Sequence, residues 1–169
     1  MLTCPSNSPS YSQAIAQEEN REEQAKQAIA SHNQLLETTK RQLAPVISGQ
    51  TIIVLGWEGN FNQSFIFSTG FITGLLENLG FQVITADTES FDTSIEAIAN
   101  IQADHILVMP SGDNTIDKAK QQWQNNQILR LIPAVQAGNI YFMDYQLTRI
   151  RGPIAAKIFI NQIRQLLQS

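Results

Sequence analysis

The chain has 169 residues, 43% hydrophobic and 15% charged, a balance that fits one soluble globular domain with a sizeable core. Its 15 acids outnumber its 11 lysines and arginines, for a formal charge of -4 and a pI near 5.1, which excludes a molecule built to coat nucleic acid or anionic lipid. The single cysteine, Cys4, excludes an internal disulfide and a cysteine-built metal cluster.

Residues 1–12 are rich in Ser, Pro and Asn without periodicity and predict a disordered lead-in. Residues 13–45 predict one long helix. No Gly or Pro interrupts Gln13 to Leu43, and Ala, Glu, Gln, Lys and Leu dominate. Its apolar stripe of Ala25, Ala28, Ile29, Leu35, Leu36 and Leu43 is narrow, so the helix must lean on another element. Pro45 is expected to end it. Neither a basic segment followed by an apolar run nor about eighteen consecutive apolar residues is present. As it stands the chain therefore carries no signal peptide or membrane span, and it is expected to be cytoplasmic if it is complete.

From residue 46 to 169 short β-branched runs alternate with amphipathic segments. Strands are predicted at 51–55, 81–85, 105–109 and 140–143, and helices at 67–79, 93–100 and 115–125, with a last helix opening at Pro153. Near-continuous apolar strands joined by helices need both sheet faces covered. The expected class is α/β, a Rossmann-like three-layer sandwich on a mostly parallel sheet.

The loop Gly56-Trp57-Glu58-Gly59-Asn60 stands where a dinucleotide-binding fold places its glycine turn, but it lacks the G-x-G-x-x-G pattern, and Asp87 lies 31 residues after Gly56 rather than about 20. Arg149 and Arg151 fall between the last strand and a helix N-terminus, the outline of an anion site at the carboxyl edge of the sheet. Charge clusters there: residues 139–169 hold one of the 15 acids and four of the 11 bases. The alternative is that both arginines are solvated or pair with a carboxylate such as Asp144. His105 opens an apolar strand and reads as a core or edge histidine, while His32 lies on the long helix. No spacing suggests a protein-built metal site or a nucleophile with its base, so no catalytic residue and no cofactor are expected. Asp113 and Asp117 read as turn and cap residues.

The stretch Ile132-Pro133-Ala134-Val135-Gln136-Ala137-Gly138-Asn139-Ile140-Tyr141-Phe142-Met143-Asp144 resembles the "PAV-x-x-G-R-V-Y-x-x-D" segment of iron-siderophore substrate-binding proteins, with Asn139 in place of the basic residue. Arg149-Ile150-Arg151-Gly152-Pro153-Ile154-Ala155-Ala156 resembles their "R-x-x-GP-x-A-A" helix entry, and Leu75 to Phe81 their "LLE-x-LGF" helix end. Trp123 stands where they often carry a tryptophan. The chain thus resembles the C-terminal lobe, with its connecting helix, of a substrate-binding protein of an ABC importer for ferric siderophores or related iron or cobalamin chelates.

In that family two Rossmann-like lobes clamp the ligand. The resemblance implies a non-enzymatic solute-binding component in the periplasm or cell envelope, with iron arriving only as part of a chelate. It puts the 56–60 loop on the cleft, with Trp57 and Phe61 stacking on an organic chelator; equally open is that Trp57 packs over a strand end. Relatives dock on the permease through one exposed acid per lobe near the start of its first helix. Residues 62–70 contain no carboxylate, and Glu58 is the nearest. Two rival readings remain: a lone-lobe interaction module, pairing with itself or with a separate first lobe, and a nucleotide-binding Rossmann-like enzyme.

Overall fold

The computed structural model describes residues 11–58, 64–85 and 93–168. The elements run α1 (Tyr11–Ile47), β1 (Thr51–Trp57), β2 (Ser64–Ile66), α2 (Phe71–Leu79), β3 (Gln82–Val83), α3 (Ile95–Asn100), β4 (His105–Pro110), α4 (Ile116–Asn125), α5 (Pro133–Gln136), β5 (Ile140–Phe142) and α6 (Pro153–Leu167). β1 lies at the centre. It pairs parallel with β4 along residues 52–57, and β4 pairs parallel with β5. The other edge of β1 is shared, β3 running parallel beside Thr51 and Ile52 and β2 antiparallel beside Leu55 to Trp57. The expected mostly parallel α/β sheet is present.

Both sheet faces are covered, and residue parity along each central strand assigns the side chains. Ile52, Val54, Leu107 and Met109 enter one core with residues of α1, α2 and α6. Ile53, Leu55, Trp57, Ile106 and Val108 enter a second core with residues of α3, α4 and α5. That is why β1 and β4 read as unbroken apolar runs rather than alternating ones. At the amino edge Asp104 clasps β1: the Thr51 N–H and Oγ1 donate to its carboxylate at 2.8 and 2.7 Å, and its own N–H donates to Thr51 Oγ1 at 3.0 Å. Asn139 Nδ2 donates to the Asp104 carbonyl at 3.1 Å and ties β5 to the same corner.

Three expectations need correction. Pro45 does not end the long helix, which runs on to Ile47. Leu43 and Ile47 are fully buried and hold the last turn on the sheet, so packing overrides the one backbone bond that proline forfeits. The stripe on α1 is also shorter than expected: Ala25, Ala28 and Ile29 are exposed, and burial begins with Leu35 and Leu36 and is complete at Thr39, Leu43 and Ile47. Finally, the helix expected from residue 67 starts at Phe71, and Ser64–Ile66 form β2. Since β3 covers only the start of β1, the outer edge of Leu55 to Trp57 needs a partner, and β2 supplies it. Among the described residues no helix is long and apolar enough to cross a membrane.

Candidate functional site

At the carboxyl end of the parallel strands, on the face of α1, α2 and α6, lies a cluster of aromatic side chains. β2 pairs Phe65 opposite Gly56, and the Phe65 ring lies across that glycine. A Cβ at residue 56 would stand 2.1 Å from Phe65 Cζ, so only glycine lets the ring lie there. The Phe67 ring follows at 5.0 Å from Phe65, and Tyr145 closes the group at 6.4 Å from Phe65 and 6.1 Å from Phe67. All three rings are half-buried. These separations are those of favourable tilted and edge-on aromatic contacts.

Tyr145 is placed by the 3-10 turn Tyr145–Thr148 that follows β5. Asp144 caps this turn, its carboxylate accepting the Gln146 N–H at 2.8 Å, and Thr148 Oγ1 donates to the Tyr145 carbonyl at 2.8 Å. The turn then delivers Arg149, whose guanidinium carbon stands 5.7 Å from the centre of the Tyr145 ring. Arg151 precedes Gly152, and Gly152 turns the chain with φ 94° into Pro153, the first residue of α6. A proline there has no N–H to leave unsatisfied, while the following amides of the first turn remain available to an acceptor. The two arginines, Tyr145, Phe67 and the start of α2 line a cavity of about 310 Å³, and among the described residues no acid stands in its wall. Both guanidiniums are exposed, and among the described residues neither pairs with a carboxylate. Asp144 does not neutralise them; it caps its own turn.

The sequence-expected residues divide. Arg149 and Arg151 come together at this cavity. Trp57 is a correction: it is fully buried in the second core, its Nε1 donates to Gln122 Oε1 at 2.8 Å, and its ring packs 5.4 Å from Trp123. It seals a strand end and presents no face to a ligand. Phe61 lies outside the described residues, as does Asp87. Phe65, Phe67 and Tyr145 were missed. The signal for the first two was the alternation in Phe65-Ile66-Phe67, which puts both rings on one side of an extended segment. Among the described residues no group of three or more His, Cys, Asp or Glu side chains could hold a metal ion. His105 is a core residue as expected, its Nδ1 lying 3.1 Å from the Tyr141 hydroxyl.

A site of half-buried rings beside two exposed guanidiniums suits a ligand with an aromatic or apolar body and anionic oxygens. Comparison with known proteins identifies the family. A family model described as periplasmic binding protein matches residues 11–147. The chain is 26% identical over 140 residues to the Fe(3+)-citrate-binding protein YfmC of Bacillus subtilis, covering 82% of this chain and 43% of that protein. The iron-uptake system-binding protein FeuA of Bacillus subtilis superposes with a TM-score of 0.70 at 22% identity, over 88% of this chain and 56% of that one. A FhuD fold-family component of a Fep/Fec-like ferrichrome ABC transporter of the same organism gives 0.71 at 18% identity, over 100% of this chain and 67% of that one. The chain spans about half the length of such relatives, and the sequence resemblance and the fold point the same way: it belongs to the periplasmic binding protein family.

Proposed function

We propose that this chain is the carboxyl-terminal lobe of the solute-binding component of an ABC importer for ferric chelates, and that Arg149 and Arg151 are its ligand-facing anion subsite. The observation that supports it is the cavity at the carboxyl edge of the sheet, where, among the described residues, no acid lines the wall and no carboxylate pairs with the two guanidiniums beside the rings of Phe67 and Tyr145. Ligands of open α/β sheets bind at that edge. Carboxylate or catecholate chelates of ferric iron carry net negative charge, and a planar guanidinium grips such oxygens in pairs. The protein's part is recognition; on this reading it is not an enzyme, and it works in the cell envelope.

The test is to replace Arg149 and Arg151 by Ala, separately, and to titrate each variant with anionic and neutral ferric chelates at two salt concentrations. Each charge-assisted contact contributes about 1.5–3 kcal/mol, so each variant is expected to lose roughly tenfold or more in affinity for the anionic chelate alone. Unchanged affinities in both variants, with folding intact, would return the arginines to the solvated-loop role.

A second reading concerns a partner. A groove of about 490 Å³ between α1 and α6 is lined by Ala28, Leu35 and Ile154, and Ile154 is 78% exposed. This supports docking of a first lobe, in the same or a separate polypeptide, against the long helix. Light scattering of the chain with and without such a lobe tests it: a stable one-to-one complex is expected, and two independent species would count against it.

A further inference from the structure

We propose that the lobe carries a second small-molecule site, on the opposite face of the sheet and beside β5, that takes a planar aromatic carboxylate. A cavity of about 610 Å³ opens there between α4, α5 and β5, within the roughly 300–1,000 Å³ typical of ligand pockets. Its apolar walls are Trp123, Val135, Ile140 and Phe142, and its cations are Lys120 and Arg130. Trp123 and Phe142 meet edge to face, 6.3 Å apart at 87°, which forms an aromatic corner for a flat ring.

The charges are arranged for an anion. Lys120 Nζ stands 5.9 Å from the centre of the Phe142 ring, at the rim of that corner. Arg130 is carried on a turn that Asn126 caps, with Asn126 Oδ1 accepting the N–H groups of Ile128 and Leu129 at 2.9 and 3.0 Å. Among the described residues neither cation pairs with a carboxylate, and no acid lines the cavity. Trp123 itself is 2% exposed, and its buried Nε1–H has no acceptor among the described residues, whereas that of neighbouring Trp57 is bound by Gln122.

A peptide strand added to the outer edge of β5 is the competing occupant. That edge is short, because Asn139 and Met143 are committed to β4 and only Ile140 and Phe142 turn their backbone groups outward. Lys120 also lies against Phe142, and a short edge guarded by lysine resists strand addition. A small ligand is therefore favoured.

The test is titration of the full chain with naphthoate, with naphthamide as the uncharged analogue and with a peptide alternating glutamate and valine, following the Trp123 indole N–H signal by NMR. Naphthoate is expected to shift that signal saturably and to bind about tenfold tighter than the amide. Lys120→Ala and Arg130→Ala should each weaken it several-fold, and Arg149→Ala, in the other cavity, should leave it unchanged. The proposal is overturned if the signal does not move, if acid and amide bind alike, if neither cation variant weakens binding, or if the peptide binds more tightly than naphthoate.

Discussion

Gly56 and Phe65 show how a single atom sets the site. With a hydrogen at residue 56 the Phe65 ring lies flat over β1; a methyl there would collide with the ring itself. Gly56→Ala is therefore expected to displace Phe65 from Phe67 and Tyr145 and to destabilise by about 1–3 kcal/mol, as overpacking does. Denaturant melts and ring-proton NMR contacts check both effects. His105 makes a prediction in pH. Burial pushes its imidazolium below the ordinary 6.5, with the neighbouring Asp104 opposing. The unfolded chain then takes up the proton first, so the stability tied to neutral His105 is whole above about pH 6.5 and is lost as pH falls from there toward the lowered folded value. Asp104 moves the other boundary: hydrogen bonds from the Thr51 backbone and side chain hold it below 3.8, so its contribution survives until pH falls below that value. Urea midpoints should fall between about pH 7.5 and 5 in the parent chain and fall much less in His105→Gln. Parity separates what was legible among these residues from what was not. Ile53, Leu55 and Trp57 share one side of β1, so the buried role of Trp57 was written in the strand, yet its place beside a glycine loop suggested a ligand. The position of the arginines at the entry to α6 was legible because Gly152-Pro153 opens that helix.

At the level of elements, α1 is a rod of 37 residues, about 55 Å long at 1.5 Å per residue, and among its side chains described, those fully buried against the rest of the chain are Thr39, Leu43 and Ile47. Ile29→Glu should thus leave the stability of the chain within about 0.5 kcal/mol of the parent, whereas Leu43→Ala should cost about 2–5 kcal/mol. Thermal and urea unfolding of the two variants decides it; equal losses would mean that the amino-terminal part is also packed. Helix existence was plain from composition, but its end was not, since Pro45 is a local signal and the burial of Ile47 is a tertiary one. β2 was illegible for the same reason: three residues have no periodicity to speak of, and the strand exists because β1 has an edge to fill. The order of β1, β4 and β5 and the two buried faces were readable, because parallel strands covered on both sides must be apolar throughout.

For the whole molecule, the measured lengths matter most: the chain covers 43% of YfmC and 56% of FeuA. On the proposed reading a ligand held by this lobe alone has a face left in water, while tight small-ligand sites bury roughly 70–90% of the ligand. The chain alone is accordingly expected to bind ferric chelates weakly, and calorimetry returning sub-micromolar affinity for a monomeric sample would contradict that. Weak binding still has an address. The most direct test of the account is an NMR titration of the chain with a diamagnetic gallium(III) complex of an anionic chelator. On the proposed reading the amide and ring signals of Phe65, Phe67, Tyr145, Arg149 and Arg151 move together and saturably; a titration that leaves these signals in place, or that moves only residues remote from the cavity, would contradict that reading.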